Sequence, residues 1–242
     1  MSHGLSVDQV SFRYGAKQAL DGVSFDVAPG RFAALLGPNG AGKSTLFGLL
    51  TRLFTTPDGT IRVAGCDIAS EPRRALGQMG VVFQSPTLDL DLTIRQNLAY
   101  FAALQGLSGR DAARRIDAAL DRLDIAERAG EKARNLNGGH RRRTEIARAL
   151  IHEPKVLLLD EATVGLDAAA RQSITDHVHR LCAEDGLTVL WATHLTDEVQ
   201  DSDRLVVLHQ GRILADGETA ALRGPDSLKD YFLRVTGLPE AA

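Results

Sequence analysis

The chain has 242 residues, 44% of them apolar and 24% charged, which supplies one large buried core and excludes disorder as the default state. A formal charge of -3 at pH 7 excludes the overall positive field of a nucleic-acid binder, so any basic patch is local. The cysteines, Cys66 and Cys182, lie far apart and mark neither a disulfide framework nor a zinc site, which fits a reducing compartment.

LSVDQVSF at 5–12 alternates as a half-buried strand does; a turn at Tyr14 and Gly15 and a second strand, ALDGVSFDV, make an antiparallel pair closed by Pro29 and Gly30. FAALL is a short, fully apolar run that enters a glycine-rich loop, and KSTLFGLLTRLF then spaces its apolar residues as a helix does. After a turn at Pro57, Asp58 and Gly59, TIRVAG and MGVVFQ read as further short strands. From about 92 to 151 the composition shifts to Ala, Leu, Arg and Asp at helical period. Buried-type strands return with KVLLLD, LTVLWAT and RLVVLHQ, separated by helical stretches such as DAAARQSITDHVHRLCAE. A hairpin turning on Gln210 and Gly211, then the helical SLKDYFLRV, complete the pattern. Strands alternating with helices predict an α/β fold with a mostly parallel sheet covered on both faces. The opening MSHGLSVDQV lacks the basic and apolar regions of a signal peptide, and no apolar run reaches the roughly 18 residues of a membrane span. Work at a membrane is therefore expected only through a partner that supplies the span.

GPNGAGKST at 37–45 satisfies G-x-x-x-x-G-K-[ST] between a strand and a helix, the context a phosphate-binding loop needs. Across Gly37, Pro38, Asn39, Gly40, Ala41 and Gly42 the glycines let backbone N–H groups converge on phosphate oxygens, and the helix N-terminus adds partial positive charge. Lys43 is a point charge for the β- and γ-phosphates, Ser44 offers its hydroxyl to Mg2+, and Thr45 reaches the α-phosphate. The plainer alternative is a glycine-rich turn with an incidental Lys, which the flanking strand and helix disfavour.

VLLLDEA at 156–162 is an apolar strand ending in two acids. Two carboxylates there are costly without a cation, so Asp160 is expected to hold Mg2+ and Glu161 to polarise an attacking water. A strand-end turn with exposed acids would give the same letters; the phosphate loop weighs against it. At 135–151, NLNGGHRRRTEIARALI opens a helix on a Gly-Gly pair and follows it with Arg141, Arg142 and Arg143. Either a turn fronts a basic helix for nucleic acid, or the glycines are half of a phosphate site completed elsewhere in the chain or in another copy of it.

With these motifs in order over almost its whole length, the sequence resembles the nucleotide-binding subunits of ABC transporters. The resemblance implies a P-loop NTPase (RecA-like) core with a mostly parallel sheet, an N-terminal antiparallel β-subdomain and an inserted helical subdomain. On that reading 1–242 is a single ATP-binding domain: 1–87 and 152–220 form the core with its β-subdomain, 88–151 the helical signature subdomain, and 221–242 a helical tail. Tyr14 falls where the family stacks an aromatic on adenine. Gln84 in VVFQS falls where a Gln senses Mg2+ and the attacking water, and His194 in WATHL where a switch histidine meets the γ-phosphate. LNGGH stands in the place of the signature, with Asn137, Gly138, Gly139 and His140 facing a nucleotide held by a second copy, and GLD brings Asp167 to the dimer interface.

Asn137 replaces the Ser of the usual signature, and His140 its most frequent Gln; Asn can still donate through its amide and is among the best helix N-caps. Ala162 stands where Pro commonly follows the catalytic Glu, which frees one backbone N–H.

The implied activity is ATP hydrolysis with Mg2+ by two subunits that face head to tail when ATP is bound and drive an integral membrane permease docked near the helical subdomain. RRRTEIARAL and LKDYFLRVTG look like single-cassette ATPases paired with separate permeases of the ABC-2 (drug and polysaccharide export) type. Such a subunit sits peripherally on the cytoplasmic face of the membrane and is cytoplasmic when unpartnered. A soluble ATPase acting on nucleic acid would use the arginine run, yet net charge and the missing tandem cassette weigh against it, and no nucleic-acid partner is expected. A nucleotide-binding scaffold with weak turnover would explain the altered signature but not the presence of both Glu161 and His194. The arginines themselves are expected on a solvated or partner-facing surface.

Overall fold

The computed structural model describes residues 4–239; three residues at each end, including the last three of the expected tail, lie outside that span. In chain order, β1 (Leu5–Tyr14) and β2 (Lys17–Val27) pair antiparallel, and β3 (Phe32–Leu36) leads through the glycine loop into α1 (Lys43–Leu50). β4 (Thr60–Val63) and β5 (Cys66–Asp67) form a tight hairpin, followed by α2 (Pro72–Leu76) and β6 (Met79–Val82). Next come α3 (Ile94–Leu104), α4 (Gly109–Arg122) and α5 (Gly138–Leu150). β7 (Val156–Asp160), α6 (Ala168–Asp185), β8 (Thr188–Thr193), β9 (Arg204–His209), β10 (Arg212–Glu218), α7 (Thr219–Arg223) and α8 (Leu228–Thr236) complete the chain.

The strands form two sheets. One is antiparallel, in the order β2-β1-β4-β5; the other runs β10-β9-β3-β8-β7-β6 and is parallel except for β10. Alternate residues of each central strand enter different cores: Phe32, Ala34 and Leu36 of β3 face the helices, whereas Ala33 and Leu35 face α1 and the antiparallel sheet. β8 divides in the same way, Val189 and Trp191 to one side and Leu190 and Ala192 to the other. Burial on both faces is why these strands read as unbroken apolar runs rather than as alternations.

Several expected boundaries shift, each for a local reason. TIRVAG stops pairing at Val63 because Ala64 (φ 48°) and Gly65 (φ 82°) make a left-handed two-residue turn. MGVVFQ stops at Val82, so Phe83 and Gln84 leave the sheet. The helix after the glycine loop ends at Leu50, and Phe54 folds back over Gly48, where a Cβ would sit 2.4 Å from the ring. The start of α3 is fixed by a capping box, Thr93 accepting the Gln96 amide at 3.1 Å and Gln96 accepting that of Thr93 at 2.8 Å. β5, α2 and α7 are too short to carry a period and had no counterpart in the pattern.

What matters for function is one edge. β3, β6, β7 and β8 are parallel neighbours or near neighbours, and their carboxyl ends deliver residues 37–45, Gln84, Glu161 and His194 to the same side of the sheet. Parallel sheets place their sites at that edge because every crossover returns the chain to the opposite one.

Candidate functional site

The loop after β3 borders a cleft of ≈ 620 Å³ lined by Tyr14, residues 38–45, Gln84 and Glu161. Two of its glycines are demanded by contact. A Cβ on Gly37 would meet the Leu208 carbonyl oxygen at 2.4 Å, and one on Gly42 (φ 113°) would meet that of Ala19 at 2.9 Å. The backbone is thus pressed onto β9 and β2, leaving the first amides of α1, which have no partner within the helix, available to an anion. Lys43 is buried; its Nζ donates to Gly37 O at 2.6 Å and Pro38 O at 3.3 Å.

Tyr14 sits at the mouth, 47% exposed, with its hydroxyl 3.5 Å from Thr45 Oγ1. Edge-to-face contacts with Phe12 at 5.0 Å and Phe54 at 5.7 Å hold the ring in place beside the cleft.

Glu161 is the point where the strand ends meet. Its backbone adopts φ 45°, unusual for a residue with a Cβ, and its amide donates to Ala192 O of β8 at 2.9 Å. Its carboxylate lies 3.3 Å from Lys43 Nζ, accepts from Gln84 Nε2 at 3.1 Å, and comes within 3.3 Å of His194 Nδ1 without the alignment of a hydrogen bond. Three side chains from three separate strand ends therefore address one carboxylate. Neighbouring Asp160 is buried; burial and then the charge of Glu161 push its pKa up to about 6, against the opposing pull of Lys43. Ser44, by contrast, is exposed at the loop.

Asn137, Gly138, Gly139, His140 and Asp167 do not line the cleft. They form a second, largely exposed patch in which a Cβ on Gly138 would meet Leu166 at 2.7 Å and one on Gly139 would meet Ala170 at 3.4 Å. Asn137 caps α5, its Oδ1 accepting the His140 amide at 2.9 Å, which leaves Nδ2 as its donor. Asp167 caps α6 in the same way, accepting the Ala170 amide at 2.8 Å. Burial pushes the His140 imidazole below its ordinary pKa.

The expectation that the arginine run lies on a solvated or partner-facing surface is corrected. Successive helical positions are about 100° apart, so the three arginines cannot share a face. Arg141 donates to the carbonyls of Ala133 and Arg134, at 3.0 and 2.8 Å. Arg142 is buried against Glu145 at 2.7 Å, and Arg143 donates to Leu123 O and Ser173 Oγ, both at 2.8 Å. All three pin α5 to its surroundings.

Lys17, Gln18, Ala19, Gln210 and Gly211 also line the cleft and were not anticipated. The β9–β10 turn is stitched in place by Gly211 N donating to Ala41 O and Asp21 N donating to Gly211 O, both at 2.9 Å. In the sequence the only signal was a hairpin turn, which says nothing of what it packs against.

Residues 20–164 match the ABC transporter family. The chain is 41% identical over 242 residues to the daunorubicin resistance ATP-binding protein DrrA3 of Streptomyces coeruleorubidus, covering 98% of this chain and 76% of that protein. It is 39% identical over 219 residues to the Nod factor export ATP-binding protein I of Paraburkholderia xenovorans, covering 90% and 72%. Among solved structures, cbiO1 from Clostridium perfringens, described as part of the ABC transporter complex cbiONQ, superposes with a TM-score of 0.86 at 28% identity over 98% of this chain and 99% of that one.

Proposed function

The chain belongs to the ABC transporter family as an ATP-binding, ATP-hydrolysing subunit, and from that premise we propose that it powers a separate membrane permease of the exporter type by closing head to tail on a second copy of itself. The observation that carries the catalytic reading is the Glu161 carboxylate at the bottom of a phosphate-loop cleft, addressed by Lys43, Gln84 and His194. Phosphoryl transfer asks the protein mainly for positioning and charge stabilisation. Tyr14 stacks on the adenine, while the amides of 40–45 and Lys43 hold the β- and γ-phosphate oxygens. Glu161 accepts a hydrogen bond from the attacking water in line with the departing oxygen, Gln84 orients that carboxylate, and His194 stands beside it to share the γ-phosphate's developing charge.

The donor set fits Mg2+. Burial raises the Asp160 pKa to about 6, a cost to its charge that a divalent cation beside it would offset, and Ser44 and the amide oxygen of Gln84 are hard oxygen donors lining the cleft next to the end of its strand. When bound, the ion neutralises charge on the phosphate oxygens; Asp160, Ser44 and Gln84 would hold it.

The dimer reading is supported by the place of the second patch: Asn137, Gly138, Gly139, His140 and Asp167 do not line their own subunit's cleft, and in this reading they meet the nucleotide held by a second copy. The interface is then isologous and buries two nucleotides. We assign the chain as one domain, with 88–151 as the subdomain that meets the permease. Beside α3 a groove of ≈ 270 Å³, lined by Leu53, Leu76, Met79, Phe83, Phe101 and His152 among others, is flanked by exposed Tyr100 and Leu104. Among the described residues no helix is long and apolar enough to cross a membrane; pairing with a separate permease would place the subunit peripherally, on the cytoplasmic face. The relatives named for Nod factor export and for daunorubicin resistance favour export as the direction of transport.

Glu161→Gln tests the catalytic reading. General-base assistance is worth about 10²–10⁴ in rate, so phosphate release should fall by that factor while ATP binding persists and an ATP-bound dimer accumulates. A variant with normal turnover removes Glu161 from its role.

A further inference from the structure

The structure assigns Arg142 and Glu145 of α5 as positioning residues that lock the segment carrying Gln84 to the helix capped by Asn137, so that the two move as one body. The inference rests on the proposed role of Gln84 at Glu161. Positions 142, 145 and 148 recur at three-residue spacing and share one face of α5. The Arg142 guanidinium donates to Phe83 O at 2.7 Å and Gln84 O at 3.0 Å, and pairs with Glu145 Oε2 at 2.7 Å. Glu145 Oε1 accepts the Thr87 amide at 2.7 Å, and Arg148 donates to Thr87 O at 3.1 Å and Thr87 Oγ1 at 2.6 Å.

Arg142 is 6% and Glu145 2% exposed. A desolvated ion pair is a poor way to gain stability compared with apolar side chains of the same size, so its use here calls for another reason. Geometry supplies one. A planar fork reaching two successive carbonyls holds the two peptide planes that flank the Gln84 Cα, and with them the direction in which the Gln84 side chain leaves the backbone toward Glu161. A lysine at 142 has a single point of donation and cannot hold both oxygens in that geometry. The chain of contact then runs from the patch at Asn137, through α5, to Gln84 and the Glu161 carboxylate, without passing through the nucleotide.

The test uses the full chain with Arg142→Lys, Gln84→Ala and the double variant, measuring kcat and KM for Mg-ATP. Arg142→Lys should lower kcat about tenfold with KM changed less than about twofold, and should add nothing further in the Gln84→Ala background. Amide exchange should quicken at 83–87 while 138–150 stays as protected as in the wild type. Glu145→Gln provides the same exchange readout where Arg142→Lys does not fold. Independent, multiplying effects of the two substitutions, or unchanged exchange at 83–87, overturns the assignment. If Gln84→Ala keeps wild-type kcat while Arg142→Lys slows it, the role of Gln84 itself fails, and the single variant identifies that failure separately.

Discussion

Replacing Asn137 with Ala removes a cap that the structure shows and, on the proposed dimer, a donor carried by a different atom of the same side chain. Oδ1 accepts the His140 amide at 2.9 Å as the N-cap of α5, and Nδ2 is the proposed donor to the nucleotide of the opposing subunit. Loss of such a cap costs about 1 kcal/mol, which for a chain of this size lowers Tm by about 2–4 °C. Loss of one hydrogen bond to a charged phosphate costs about 1.5–3 kcal/mol. An isologous dimer makes that contact twice, so closure loses at least about 3 kcal/mol, roughly a hundredfold or more in dimer Kd. ATP binding to the monomer, which uses the cleft alone, should stay within about twofold. Asn137→Ser restores both a cap and a donor and should recover most of each loss. Sedimentation in Mg-ATP with Glu161→Gln as the common background, together with nucleotide titration and melting, reads all of these. Equal dimer Kd with and without Asn137 would refute the reasoning that the patch acts across the interface.

The remaining predictions concern the fold beneath the site. His179 stacks on Phe32 at 3.9 Å, and its Nε2 lies 3.0 Å from both Asp203 oxygens; burial opposes its charge, but the Asp203 hydrogen bond and carboxylate outweigh that and raise its pKa. A raised folded pKa means that this contribution is complete below about pH 6.5 and is lost as pH rises through the folded value. The Tm advantage of the wild type over His179→Gln should therefore shrink as pH rises above about 6.5, and parallel melting curves would refute it. Trp191 Nε1 donates at 3.0 Å to Glu198, a buried carboxylate pushed up in pKa by burial. Trp191→Phe leaves that carboxylate short of a donor and should cost about 1–3 kcal/mol, a drop in Tm of several degrees, part of which Glu198→Gln should recover. A wild-type melting temperature in Trp191→Phe would show that the bond contributes nothing.

Contiguous features were legible without coordinates. FAALL, GPNGAGKST and KSTLFGLLTRLF announce strand, loop and helix in order because each depends on local backbone geometry, apolar continuity, glycine freedom and helical period, although the helix stops at Leu50. The parallel sheet followed from the same alternation, and KVLLLD and LTVLWAT read as central strands because both their faces are covered. Asn137 as a cap was readable for the same reason, since a cap reaches only three residues along. The resemblance to a family supplied the grouping of Gln84, Glu161 and His194, which no period or spacing encodes.

The arginine run shows where local reading ends. As letters it is a basic patch; in the fold its three side chains diverge about the axis of α5, and one is buried to hold the carbonyls of Phe83 and Gln84. Gln210 and Gly211 likewise enter the cleft because a hairpin turn late in the chain packs against β2 and the phosphate loop. Residue order was enough for the longer strands and helices and for the anion-binding loop, since those choices are settled within a few residues, but not for β5, α2 and α7, which are too short to carry a period. Which polar groups meet depends on how the strands pack: Glu161 and Gln84, 77 residues apart, touch because β6 and β7 are hydrogen-bonded neighbours whose ends open on one edge.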